Sequence, residues 1–291
     1  MIYEVSHRTL YRYTTPVVQS QHVVHMSPRS VPRQVVKGHT LLIDPAPTIR
    51  TERLDYYGNR AVMFDIEQEH EELIVHAQST IAVTAPDPID LERNTTWEKL
   101  ADMVGRPETR LDLDVLKYAC ASKHTRSTSE LAQFARASFT PGRATLQGAW
   151  DLITRIYEDF KFDATATDIS TPVMKVLEQR RGVCQDFSHL ALACLRALHL
   201  PARYVSGYIL TKPAPGAAKL AGADASHAWI SVWAPETGWV DFDPTNGLMP
   251  RDEHITIAYG RDYDDVSPIS GILLGGSEHS VAVGVDVVPA G

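Results

Sequence analysis

A cysteine, a histidine and an aspartate in this chain stand where they could carry out nucleophilic chemistry. Cys184 follows the glycine-marked turn Arg180-Arg181-Gly182-Val183 and opens a run in which Phe187, Leu190, Ala191, Cys194 and Leu198 recur at helical spacing. That is the apolar stripe of a packed amphipathic helix. A cysteine at its start meets unpaired backbone N–H groups and the positive end of the helix dipole, both of which favour a thiolate. This is not enough. A free thiol titrates near 8.5, and bringing it below 7 takes about 2 kcal/mol, whereas a helix terminus supplies only ~0.3–1 kcal/mol. Asp186, in the same first turn, would oppose ionisation if it faced the sulfur. A neighbouring imidazolium is therefore required from elsewhere in the chain.

A later hairpin offers one. Ser226-His227-Ala228-Trp229 begins a β-rich run, Pro235-Glu236-Thr237-Gly238 makes a turn, and Trp239 to Phe242 reads as the facing strand, which ends at Asp243-Pro244. Neighbouring antiparallel strands lie about 4.8 Å apart, so a carboxylate on one reaches an imidazole on the other. Asp241 and Asp243 point to the same side by strand alternation, and spacing leaves both open as the partner of His227. A thiol, an imidazole and a carboxylate that orients it are the groups needed for attack on an acyl carbon.

The elements that must position these groups follow from the rest of the chain. Residues 1–88 read as an antiparallel, sandwich-like β domain. Tyr3, Val5, His7, Thr9, Tyr11 and Tyr13 alternate with more polar residues, and Gly58-Asn59 marks a two-residue hairpin. Ala85-Pro86-Asp87-Pro88 closes that region. Residues 89–145 read as a helical connector, with a capping-box pattern at Ser127-Thr128-Ser129-Glu130. Residues 146–291 form the remaining unit. It opens with a helix striped by Leu146, Trp150, Ile153, Tyr157 and Phe160, continues through a short helix from Thr171-Pro172 to Gln179, and then reaches the cysteine turn. Strands follow from Ala202, a surface loop is expected at Lys212–Gly222, and the tail reads as irregular from Ile255 until a last strand at Ser280–Val288.

The totals narrow the function class. The chain has 291 residues, 44% of them apolar and 22% charged, enough to bury a sizeable core. A formal net charge of -8 argues against nucleic acid as a partner, and the absence of a long apolar run argues against a membrane. The N-terminus opens as a strand, not as a signal peptide. The cysteines are Cys120, Cys184 and Cys194, an odd and low count that suggests a reducing, cytoplasmic setting. His22, His25, His39, His70 and His76 lack metal-type spacing, and neither a metal nor an organic cofactor is expected. Nothing in the sequence sets the oligomeric state.

Four blocks then occur in a specific order: Gly182-Val183-Cys184-Gln185-Asp186, Pro201-Ala202-Arg203-Tyr204-Val205-Ser206-Gly207-Tyr208, His227-Ala228-Trp229, and Gly238-Trp239-Val240-Asp241-Phe242-Asp243-Pro244-Thr245-Asn246. Together they resemble the transglutaminase-like superfamily, and specifically its bacterial branch of transglutaminase-like cysteine proteases. The N-terminal β region resembles the domain that precedes the core in that branch. The resemblance implies an α+β fold with a papain-like core, the cysteine helix packed on an antiparallel sheet. It implies Cys184 as nucleophile, His227 as base and Asp243, not Asp241, as the third member. The stretch Phe160-Lys161-Phe162 supplies no indole oxyanion donor of the kind animal transglutaminases use; Trp150 is an alternative, though its helical spacing reads as core. Phe162, Gln185, Asp186, Ser226 and Trp229 flank these positions and are the candidates for substrate contact.

The function expected on this basis is a cysteine amidohydrolase or peptidase that cleaves a peptide or amide bond through a thioester. One alternative passes the same acyl group to an amine, as a transglutaminase or amide ligase does. Another is a binding module that keeps the fold without the chemistry.

Overall fold

The computed structural model describes residues 1–106, 113–211 and 226–290. The loop expected at Lys212–Gly222 lies outside the described residues. The chain opens with β1 (Ile2–Val24), which buries Tyr3, Val5, His7 and Thr9 along one face, as the alternation requires. Four more strands follow: β2 (Gln34–Asp44), β3 (Ile49–Leu54), β4 (Arg60–Ile66) and β5 (His70–Val83). β1 is their common spine. Its first half pairs with β5 and its second half with β4, with irregular register between Arg12 and Val17. The two halves wrap around one apolar cluster that includes Val17, Leu41, Phe64, Ile66, Leu73 and Val75. The β3–β4 hairpin turns through five residues instead of two. Leu54 pairs with Arg60, and the Asp55 carboxylate accepts the Tyr57 and Asn59 amides at 2.8 and 2.7 Å, stabilising the wider loop.

The middle of the chain supplies α1 (Trp97–Gly105), α2 (Leu113–Leu116), α3 (Ser129–Arg136) and α4 (Thr145–Asp159). Thr128 caps α3 by accepting the Leu131 amide, one residue after the Ser127 that the capping-box pattern puts at the cap. α3 is more than a connector, because it packs on the cysteine-bearing helix through Leu131 and Ala135. In the α4 stripe, Leu146, Ile153 and Phe160 are buried and Trp150 packs near Phe242, whereas Tyr157 is exposed.

Next come β6 (Lys161–Phe162), α5 (Val173–Gln179), β7 (Arg181–Gly182) and α6 (Cys184–Ala197), then β8 (Ala202–Ile209), β9 (Ser226–Ala234), β10 (Gly238–Phe242) and β11 (His254–Gly260). The last four form an antiparallel sheet in the order β10-β9-β8-β11. Ala228, Ile230, Val232 and Ala234 of β9 share the core cluster with Leu190, Ala191 and Cys194 of α6. α6 is not amphipathic in its surroundings: every residue from Asp186 to Arg196 is buried. On its polar side the Arg196 guanidinium donates to the carbonyls of Tyr118, Ala202 and Arg261, while the buried Ser188 hydroxyl has no partner among the described residues. The class is thus α+β, an antiparallel β domain followed by a helix-on-sheet core.

The tail departs from the sequence reading. β11 replaces the expected irregular segment and is buried on both faces, which hides the usual alternation. β12 (Ile269–Gly275) and β13 (His279–Pro289) pair with the second and first halves of β1 respectively. The C-terminal strand assigned to residues 146–291 therefore completes the N-terminal sheet. Alternation defines a strand but carries no information about a partner at the other end of the chain. Among the described residues no helix is long and apolar enough to cross a membrane.

Candidate active site

Cys184 is held by the turn that precedes it. β7 pairs in parallel with β6, setting Phe162 beside Gly182, and the Asp163 amide donates to the Gly182 carbonyl at 2.9 Å. Asp186 then turns back on the same loop. Its Oδ2 accepts the Val183 amide at 2.8 Å and the Thr167 hydroxyl at 2.6 Å. A Cβ at position 182 would lie 2.8 Å from both Cβ and Oδ2 of Asp186, which accounts for the glycine. Burial raises the Asp186 pKa, against those two hydrogen bonds. Val183 N–H is thus occupied, while the amide of Cys184, at the first position of the helix, makes no hydrogen bond among the described residues.

His227 comes from β9, near its start. Its Nε2–H donates to Asp243 Oδ2 at 2.7 Å, and the Cys184 side chain lies near enough to act on its titration. Burial disfavours the imidazolium, but the hydrogen bond to Asp243 and the neighbouring Cys184 side chain, together with their charges, outweigh it and push the pKa up to about 10. With Nε2 on the carboxylate, Nδ1 is the nitrogen left to meet the sulfur.

Asp243 is wholly buried and accepts five hydrogen bonds. Oδ2 receives His227 Nε2, Asn246 Nδ2 at 2.7 Å and His254 Nε2 at 3.1 Å. Oδ1 receives the amides of Thr245 at 2.9 Å and Asn246 at 3.1 Å. Burial raises its pKa, yet the hydrogen bonds from His227 and His254 and the His227 charge hold it far below the usual carboxylate range. Asp241, equivalent by alternation, lies instead beside Arg33, 3.5 Å from its guanidinium. The β9–β10 ladder ends at Phe242 opposite Ile230, and Asp243 leaves it to form a bridge with Leu248.

The remaining sequence candidates separate. Phe162 is 55% exposed and lines an open cleft of about 550 Å³ together with His227, Asn246, Leu248 and His254. Gln185 is half-buried and its side chain makes no hydrogen bond among the described residues. Asp186 is used in the turn. Ser226 is exposed at the start of β9, opposite Tyr208, and does not line the cleft. Trp229 is fully buried behind the site, edge-on to His254 at 5.2 Å between ring centres, and so cannot contact a substrate in the cleft.

Sequence reasoning missed His254 and gave Asn246 no role. Asn246 follows an Asp-Pro turn, a setting in which an aspartate collects the next amides, so a local signal existed. His254 had none, because it reaches Asp243 through the distant pairing of β11 with β8. Ligand atoms of His227, Asp243 and His254 all lie within 4.8 Å of one another, so they could hold a divalent cation only by giving up the protons that now bind the carboxylate.

The sequence relationships agree with this architecture. Residues 3–82 match the bacterial transglutaminase-like N-terminal region, and residues 132–244 match the transglutaminase-like superfamily core. An uncharacterized protein of Mycobacterium tuberculosis is 40% identical over 297 residues, covering 99% of this chain and 92% of the relative. The chain belongs to the transglutaminase-like superfamily, in the bacterial branch that carries this N-terminal region. A solved chain from Cytophaga hutchinsonii, provisionally described as a cysteine protease, has the same fold, with a TM-score of 0.75 at 21% identity over 100% of this chain and 92% of that one. A protein-glutamine gamma-glutamyltransferase of Pseudomonas aeruginosa is 28% identical over 167 residues, 55% of this chain and 22% of its own length.

Proposed function

We propose that the protein is a cysteine amidohydrolase acting on peptide or amide bonds, with Cys184 as nucleophile, His227 as acid and base, and Asp243 as the group that orients His227. The observation that supports this reading is the buried, five-fold hydrogen-bonded Asp243 carboxylate 2.7 Å from His227, whose pKa is pushed up by Asp243 and by Cys184 at the helix start. An imidazolium kept charged at neutral pH favours a thiolate facing it. The sulfur attacks the acyl carbon while the Cys184 amide stabilises the oxyanion. His227 gives its Nδ1 proton to the leaving amine, the C–N bond breaks, and a thioester forms. Water, deprotonated by His227, then releases the acid and the thiol.

A second reading sends the thioester to an amine instead of water. The similarity to a protein-glutamine gamma-glutamyltransferase favours it. Both readings are tested together by incubating the protein with a glutamine-bearing peptide library and a labelled amine. Acid products support hydrolysis and amine incorporation supports transfer. Turnover undiminished in Cys184→Ala would falsify the shared chemistry and leave a binding module.

A further inference from the structure

The core sheet has a second cavity, of about 440 Å³, on the face turned away from α6. The alternation that sends Ala228, Ile230 and Val232 toward α6 sends Trp229 to this other side, as it does Arg203 of β8 and Trp239 and Asp241 of β10. The opposite wall is the N-terminal domain, through Val31, Pro32 and Arg33. His254 lines both this cavity and the cleft, and no other residue is common to the two.

The charges on this cavity do not balance. The Arg203 guanidinium is 4.3 Å from the Trp239 ring centre and 3.5 Å from that of Tyr259, yet it makes no hydrogen bond or ion pair among the described residues. Its Nε is buried and unpartnered. Arg251 also lines the cavity and has no ion pair among the described residues. Asp241 is the acid on this lining, and Arg33 is beside it. Three guanidinium groups thus share one carboxylate. Ring faces offset part of the cost of an unpaired cation, but a guanidinium fork held rigidly between two rings is pre-organised for a planar anion. Val31, Pro32 and Trp239 supply an apolar wall next to it.

We propose that this cavity is a binding site for a small organic carboxylate, its charge on Arg203 and Arg251 and its apolar body against the N-terminal domain. The site is inferred without the chemistry assigned to Cys184, although His254 borders both cavities.

Calorimetric titration of the full chain with 3-phenylpropionate, its neutral amide and inorganic phosphate tests this. The carboxylate should bind saturably with a Kd of about 1 mM or tighter, and the amide at least about tenfold more weakly. Arg203→Lys, which loses the fork, should weaken the carboxylate about tenfold. Asp241→Asn should tighten it about fivefold, because a like charge is removed and Arg33 is released. A variant that merely misfolds cannot bind more tightly, so the last result separates recognition from damage. No saturable binding of the carboxylate, equal binding of the amide, or no gain in Asp241→Asn overturns the site. Phosphate binding as tightly as 3-phenylpropionate overturns the assignment to an organic carboxylate.

Discussion

His254 donates its Nε2–H to the same oxygen of Asp243 that receives the proton of His227. The carboxylate therefore has two imidazole partners, and the second fixes the direction in which it faces the first. A hydrogen bond to a buried charged group is worth about 1.5–3 kcal/mol. His254→Ala should lower kcat on the order of tenfold to a hundredfold, and His254→Gln, whose amide still donates, should recover much of that loss. Steady-state kinetics of the two variants check this. Equal losses in both would show that His254 acts by packing against Trp229 and not through its N–H.

The His227–Asp243 pair also sets a pH signature. His227 has a folded pKa of about 10, above its unfolded value, so its contribution is complete below about 6.5 and is lost as pH rises through about 10. Asp243 is shifted downward, so its contribution is present above about 3.9 and is lost as pH falls below that. The stability deficit of Asp243→Asn should thus be greatest between about pH 4 and 6.5 and shrink on both sides. Its maximum should be about 3–5 kcal/mol, the usual result of leaving one buried charge unpaired. Guanidinium denaturation of both proteins across that range measures it; a flat difference would mean the pair is not ionised. In the same variant, alkylation of Cys184 by iodoacetamide at pH 7 should slow on the order of tenfold.

Two side-chain amides hold the β domain against the core. Gln34 accepts the Thr256 amide at 2.8 Å and donates to its carbonyl at 2.7 Å, and Asn59 does the same for Tyr259 at 2.8 Å in both directions. They pair with the outer edge of β11 as a further strand would. Asn59→Leu orphans the Tyr259 N–H and C=O, and Gln34→Leu orphans the Thr256 N–H while its carbonyl keeps the Arg29 amide at 3.4 Å, so each should cost ~2–3 kcal/mol. Amide hydrogen exchange at Thr256 and Tyr259 should quicken in the matching variant alone. Exchange unchanged at both would show that these bonds are dispensable.

What the sequence disclosed about this site was local. A turn, a helix start and a hairpin are each set by residues a few positions apart, so Cys184, His227 and the pair Asp241/Asp243 could be singled out before their geometry was known, and the resemblance to the family then favoured Asp243. The difference between Asp241 and Asp243 was not visible to alternation. It arises where the ladder stops at Phe242 and the next backbone amides close on Asp243. His254, the partner of β13 and the cover over the polar side of α6 depend on pairings between remote segments. Ser188, His189 and Arg196 illustrate the limit: by type they mark a solvent face, and all three are buried.

Phe162 is the side chain whose exposure calls for a reason. It projects into the cleft from a two-residue strand locked to Gly182, two positions before Cys184. On the proposed function, an aromatic ring mounted in this cleft would provide apolar surface for a substrate side chain. Phe162→Ala should then raise KM for a peptide about tenfold, the equivalent of ~1.4 kcal/mol of lost contact, with kcat changed less than about twofold. Iodoacetamide is too small to use that surface, so its rate with Cys184 should not change. A parallel fall in alkylation would instead place Phe162 in the support of the cysteine turn. The pairing of Lys161 and Phe162 with Arg181 and Gly182 is made by backbone groups, which the substitution leaves intact, and that favours the substrate role.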